Sequence, residues 1–268
     1  MRPAVEIAVQ DAEGAATARA NGADRVELCT ALGVTGGLTP SAGLLDAVCA
    51  VGIDVHALIR TRPGGFVYSD AEVDVLAADV AAAVRLAVRL GARGVVIGAL
   101  HADGTVDAGA TGRLLAAARD AEQRAGRRID VTFHRAIDAA ADPIAALTVL
   151  AGLGVDRVLT SGGAARAGDG LDVLRALVAA DTGVEVMAGG GRHGGGHPCH
   201  PGHRRARGAP VRETLGAGSG RRRPGWRCRV GSGDDRRRSG ASGYESSAPS
   251  LSASSDTRVR YSLPISTV

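Results

Sequence analysis

A chain of 268 residues suits one large domain or two small ones, and it is rich in Ala, Gly and Val with only 2% aromatic residues. All 32 basic residues are arginine, which excludes lysine Schiff-base chemistry and with it the class I aldolase route. The formal net charge of +4 hides two unlike parts: residues 1–191 hold 17 Arg against 23 acidic residues, and residues 192–268 hold 15 Arg against five. No apolar run reaches the length of a membrane span, and Glu6 and Asp11 interrupt any signal-peptide core. The expectation is a cytoplasmic body with no membrane partner and with Cys29 and Cys49 reduced.

The first predicted strand is Ala4–Val9, with Glu6 inside an apolar run, followed by a helix over Asp11–Asn21 that Gly22 closes. Asp24–Cys29 is the second strand and carries Arg25, Glu27 and Cys29. The glycine-rich loop of residues 30–38 leads to Thr39-Pro40, read as an N-cap and first-turn proline for a helix to Val51. Strand three, Asp54–Arg60, alternates so that His56, Leu58 and Arg60 share one face and Val55, Ala57 and Ile59 the other. Ser69 and Glu72 form a capping box for a helix to about Leu90. Strand four is Gly94–Leu100, and its helix runs over about Ala108–Ala125. Strand five, Ile129–His134, leads into Arg135 and Asp138. Asp142-Pro143 opens a helix closed by Gly154, strand six is Arg157–Ser161, a helix covers about Leu171–Ala180, and strand seven is Val184–Ala188, ending in Gly189-Gly190-Gly191.

One template recurs: Asn21-Gly-Ala-Asp-Arg-Val-Glu-Leu-Cys29, Leu90-Gly-Ala-Arg-Gly-Val-Val-Ile-Gly98 and Leu153-Gly-Val-Asp-Arg-Val-Leu-Thr-Ser161 share a helix end, a glycine and a strand. The spacing predicts an α/β fold, a TIM (β/α)8-type barrel whose working residues lie at strand C-termini. Seven strand–helix units are visible where such a barrel has eight. Residues 1–191 are thus read as an incomplete β/α barrel, and residues 192–268 as an Arg/Gly/Ser-rich disordered tail. Reading residues 192–215 one base later, with free choice of third bases, permits VTVADIPAILATGARAVHLSAKRS, a fourth copy of the template and an eighth strand, so the tail is expected to be frameshifted. On that account the cluster His193, His197, Cys199, His200 and His203 is no metal site. Likewise Arg221–Arg223 and Arg236–Arg238 are no specific nucleic-acid site, although charge alone lets them meet polyanions.

Glu6, Arg25, Glu27, His56, Arg60 and His134 all fall on strands or strand ends, where they line a pocket or fix barrel packing. Thr160 and Ser161 with Gly162-Gly163, and Gly189 with Gly190, end strands six and seven, where such barrels bind phosphate or merely turn. No hydrolytic metal spacing and no serine-triad signature is present.

Taken in order, Gly22–Cys29, Gly36-Gly-Leu-Thr-Pro-Ser41, Ile59-Arg60 through Phe66–Ser69, Val131-Thr-Phe-His-Arg-Ala136 with Asp138, Arg157–Gly162 and Met187–Gly191 resemble the CutC family, named for copper homeostasis. The resemblance covers residues 4–191. It implies a TIM-type barrel, an often oligomeric state and hence a homo-oligomer, and a disputed role in binding copper(I), with no established reaction. Three departures stand out. Ala8 replaces a cysteine common in the family, Gly65 replaces an aspartate, and the last strand is absent from residues 1–191. Cys29 is then the one metal candidate, a soft ligand suited to Cu(I) but also a residue type that is commonly buried and inert. The competing expectation is an enzyme for a small anionic or phosphorylated ligand. Arg60 and Arg25 would hold the anion, and His134 would act as acid or base with Glu27 or Glu6 as its partner.

Overall fold

The computed structural model describes residues 4–90, 92–190 and, as backbone alone, 259–264. Eight parallel strands close into a barrel in sequence order. They are β1 (Val5–Val9), β2 (Arg25–Leu28), β3 (Asp54–Leu58), β4 (Gly94–Ile97), β5 (Asp130–Phe133), β6 (Arg157–Thr160), β7 (Glu185–Gly189) and β8 (Val259–Pro264). The helices between them are α1 (Ala12–Ala20), α2 (Leu32–Thr35), α3 (Ala42–Cys49), α4 (Asp70–Leu90), α5 (Ala108–Ala125), α6 (Pro143–Leu153) and α7 (Leu171–Ala179). Short 3-10 turns lie at Arg135–Ala139 and Ala167–Asp169.

The seven strands expected up to Gly191, and the helices expected between them, are all present. An eighth strand, β8, comes from the stretch read as aperiodic and pairs with β1 (Ile7 opposite Leu263) and with β7 (Ala188 opposite Tyr261). β1 and β7 are therefore paired on both edges. Val259, Tyr261 and Leu263 alternate with Arg260, Ser262 and Pro264, a period-2 pattern suited to a barrel strand. The histidine–cysteine cluster, the arginine triplets and the shifted-frame reading of the tail lie outside the described residues.

Local rules explain the element ends. Asp11 accepts from Gly14 N, and Asp142 accepts from Ile144 N and Ala145 N with Pro143 in the first turn. Ser69 and Glu72 exchange the two bonds of a capping box (Glu72 N to Ser69 Oγ 3.3 Å, Ser69 N to Glu72 Oε2 2.8 Å). The cap of α3 is Ser41, not Thr39, and the helix begins at Ala42. Thr39 is drawn instead to the end of β3, where its Oγ1 accepts from Arg60 N at 2.9 Å.

The strand alternation holds. Val26, Leu28, Val55, Ala57, Ile59, Val95, Ile97, Val131 and Phe133 face the helices and join one core with Ala15, Leu45, Val48, Leu76, Val80, Leu114, Leu147 and Leu150. Each fully buried side chain of the Val or Leu kind contributes about 1.5–3 kcal/mol relative to exposure. The opposite face points inward, where Cys29, Leu58 and Val96 form a separate small cluster. Register fixes the inner layers on β2, β3 and β4: Glu27 pairs with His56 and His56 with Gly94, and Leu58 pairs with Val96 one layer higher. Arg60 and Gly98 follow two residues further along the same alternation, at the mouth.

Candidate functional site

The lower interior is ionic. Arg25 Nε donates to Glu6 Oε2, and Arg25 Nη2 reaches the Met187 sulfur at 3.1 Å. One side chain thus ties β2 to β1 and, across the interior, to β7. Glu6 is 1% exposed and Glu27 8%, and Glu6 Oε1 and Glu27 Oε2 have no partner among the described residues. Burial and then the charge of Glu6 push the Glu27 carboxyl up to about 8, while Arg25 pulls it back. Glu27 therefore keeps its proton at neutral pH. The His56 ring lies over Gly94, where a Cβ would fall 2.5 Å from Nδ1. On β6, Arg157 meets Glu185 at 2.9 Å and Thr132 Oγ1 at 3.2 Å. Arg25, which was expected to grip an anion, is committed to this buried network.

The middle layer is apolar and contains Cys29. The thiol packs with Leu58, Val96 and Leu32, and Sγ lies 3.6 Å from the Val9 carbonyl. Gly37, at φ 102°, passes so close that a Cβ there would meet Leu58 Cδ2 at 2.7 Å and Cys29 Sγ at 3.3 Å. Burial, then Glu27, push the thiol up to about 12, far from the thiolate that binds a soft metal. Among the described residues no three His, Cys, Asp or Glu side chains are grouped so as to hold one metal ion. Cys29 as folded does not fit a copper centre. Cys49 is packed on α3 within the main core.

The mouth carries donors. Arg60 Nη1 donates to the carbonyls of Thr35 and Gly37 (2.9 and 3.1 Å), and Nη2 donates to that of Gly64 (2.7 Å). The guanidinium thereby fastens the loops after β2 and β3, with its carbon 5.3 Å from the Phe66 ring centre. Its Nε is buried without a hydrogen-bond partner among the described residues. Phe66 also faces His134 at 4.9 Å between ring centres, so both residues share one wall. The His134 ring lies over Gly98, where a Cβ would fall 2.4 Å from Cε1. His134 Nδ1 accepts from Ala136 N at 3.1 Å, which places the proton on Nε2. That Nε2 is buried with no hydrogen-bond partner among the described residues, in a residue only 6% exposed. Burial, then the charge of Arg60, hold the imidazole down to about 3. His134 is therefore a neutral donor at physiological pH, not a group that exchanges protons there.

Around the ends of β5, β6 and β7 a second group gathers on Asp138, which the sequence reading left outside the site. Asp138 accepts from Thr160 Oγ1 (2.6 Å), Ser161 N (3.0 Å), Gly163 N (3.1 Å) and Arg135 Nε (2.8 Å). Arg135 Nη2 donates to Ser161 Oγ at 2.7 Å. Gly190 gives this guanidinium room, since a Cβ would stand 3.0 Å from its carbon. Gly189 ends β7 opposite Ser262. Thr160, Ser161 and Gly190 thus gather around Asp138 and Arg135, and Arg135, Asp138, Phe66 and Gly98 were not among the expected site residues. The three-residue spacing of Arg135 and Asp138 directly after a strand was the signal available for two of them.

Fold and site together define a parallel β/α barrel with an ionic floor, an apolar middle and a donor-lined mouth. The chain belongs to the CutC family, whose pattern matches residues 3–196. The human copper homeostasis protein cutC homolog is 44% identical over 189 residues, covering 70% of this chain and 64% of its own length. A CutC family protein of Sinorhizobium medicae is 44% identical over 188 residues, covering 70% and 71%. The match therefore spans less than two thirds of the human relative. A solved structure from Streptococcus agalactiae that carries the CutC name superposes with a TM-score of 0.61 at 28% identity over 70% of this chain and 88% of its own. Oxaloacetate acetylhydrolase with bound oxalate superposes at 0.52 over 70% and 66%, and at 17% identity that likeness concerns the fold alone. No helix among the described residues is long and apolar enough to cross a membrane.

Proposed function

We propose that the protein serves in copper homeostasis, the role its relatives' names carry, through a small anionic ligand taken at the mouth of the barrel rather than through a copper(I) store built on Cys29. One observation carries this reading: two buried donors, His134 Nε2 and Arg60 Nε, flank Phe66 and have no partner among the described residues. A buried polar hydrogen without an acceptor costs about 1–3 kcal/mol, and a ligand oxygen would recover that cost. The neutral imidazole would donate from Nε2 and polarise the oxygen, a role distinct from acid or base catalysis. Cys29, protonated and roofed by Leu32 and Gly37, serves as packing.

The test pairs anaerobic Cu(I) titration with titration by malonate, followed by NMR, on the wild type, H134Q and C29S. Malonate should shift His134 and Phe66 resonances in the wild type and C29S, with at least about tenfold weaker binding in H134Q. Cu(I) stoichiometry should not change in C29S. One equivalent of tightly bound Cu(I) that C29S abolishes, with malonate silent at His134, would reverse the assignment.

A further inference from the structure

The turn after β6 has the geometry that barrels use for anions. Gly162 and Gly163 both take positive φ (70° and 73°), turning the amides of Ser161 and Gly163 towards one point, a backbone nest. The nest is rigid: a Cβ on Gly162 would stand 2.3 Å from the Gly170 carbonyl, and one on Gly170 would stand 2.0 Å from that of Ser161. That point is already filled by a carboxylate of the chain itself. Asp138 comes from the 3-10 turn after β5. It takes both amides, the Thr160 hydroxyl and Arg135 Nε, and its side chain is only 10% exposed. Ser161 Oγ lies within 3.0 Å of Asp138 and 2.6 Å of the Ala164 carbonyl, so its single proton serves one of them while Arg135 Nη2 donates to it. Arg135 Nη1 is then the one nitrogen of this guanidinium with no hydrogen bond to the described residues, on a side chain 41% exposed at the mouth.

We infer that Asp138 is a resident anion that closes the β6 nest to phosphate and positions Arg135, so that the acid group of the ligand is a carboxylate met by Arg135 Nη1. This rests on the anionic-ligand reading above. A phosphate at this end of the barrel would have to displace a carboxylate that holds four donors, one of them the Arg135 cation, in a fixed cradle. It would leave that carboxylate unpaired, and like charges this close repel strongly. The donors that remain are few: Arg135 Nη1, His134 Nε2–H and Arg60 Nε–H. They match the two oxygens of a carboxylate better than the three charged oxygens of a phosphoryl group, which selects denser cationic cradles. Asp138 touches no ligand in this scheme and acts through the guanidinium.

The experiment uses the full chain with inorganic phosphate and malonate as probes, read by the amide resonances of Ser161 and Gly163 and by the Arg135 Nε–H resonance. In the wild type, phosphate in the tens of millimolar should leave both amides unmoved, and the Arg135 Nε–H should be sharp and slow to exchange. In D138A the emptied nest should take phosphate at least about tenfold more tightly than the wild type, with both amides shifting. D138N keeps an oxygen in the nest and so guards against simple loss of the fold. It should gain no phosphate binding, lose the sharp Arg135 Nε–H signal and bind malonate at least about fivefold more weakly. Wild-type Ser161 and Gly163 amides that move with phosphate, or a folded D138A that gains no phosphate binding, would overturn the closure of the nest. A D138N that keeps full malonate affinity would overturn the positioning role. If malonate disturbs neither His134 nor Arg135 in the wild type, the anionic-ligand reading falls with the carboxylate assignment, while the closure of the nest is still read from phosphate alone.

Discussion

Replacing Glu27 by glutamine should flatten the pH dependence of stability between about pH 4.5 and 8. Glu27 is 8% exposed, and its Oε2 has no partner among the described residues. The nearby Arg25 is already paired with Glu6. Burial first and Glu6 second raise the Glu27 carboxyl from its ordinary 4.5 to about 8. Between those two values the folded chain keeps a proton that the unfolded chain has released, so stability falls as pH rises through the interval and levels off above about 8. At about 1.4 kcal/mol per pH unit the interval sets a ceiling of roughly 5 kcal/mol. Glutamine has the same shape and no charge, so E27Q escapes the penalty. Urea unfolding of both proteins at pH 5, 6, 7 and 8 measures the difference, and E27Q should gain on the wild type by about 2 kcal/mol or more between pH 5 and 8. Two stability curves that run parallel within about 0.5 kcal/mol would refute the claim that the folded state holds this proton.

The opposite sign applies at His134, whose folded value of about 3 lies below the ordinary 6.5. Stability from this group is complete above 6.5 and is lost as pH falls from 6.5 towards 3, and NMR should show no titration of its ring between pH 5 and 8. G98A places a methyl group 2.4 Å from that ring and should cost about 1–3 kcal/mol in urea unfolding, with a displaced His134 resonance. Deleting residues 259–268 removes the strand paired with β1 and β7. Hydrogen exchange should then speed up selectively in those two strands, and gel filtration should show association through the exposed edges.

The strand–helix rhythm was legible because each unit closes with glycine and reopens with an apolar run, and the third strand's alternation gave the correct faces for His56, Leu58 and Arg60. β8 was not legible, because six alternating residues stand alone among Gly, Arg and Ser with no helix pattern beside them. The polar residues were legible by type but not by layer. Arg25 and Arg60 look alike in sequence, each on a strand near a glycine-rich loop. Register puts Arg25 on the floor against Glu6 and Arg60 at the mouth against three carbonyls. Asp138 was visible in the sequence but was given no site role, because a carboxylate just past a strand is ordinary. Only the approach of β6 shows what it fills.

Layering also decides what Cys29 can do. Glu27 and His56 lie one step below it, and Arg60 and His134 lie one step above the Leu58–Val96 level that it shares. A copper(I) ion reaching its sulfur would pass between the Arg60 and His134 layer and the Gly37 loop, then shed its ligands in an apolar layer where, among the described residues, the thiol's one hydrogen-bond partner is the Val9 carbonyl. The thiol would also have to release a proton where burial disfavours the thiolate. Each step is uphill for a cation that gains a single thiolate at the end. The same apolar layer separates the proton on Glu27 from the mouth. Cys29 thus belongs to an apolar layer between two polar ones, and the ligand proposed above would meet the layer at the mouth.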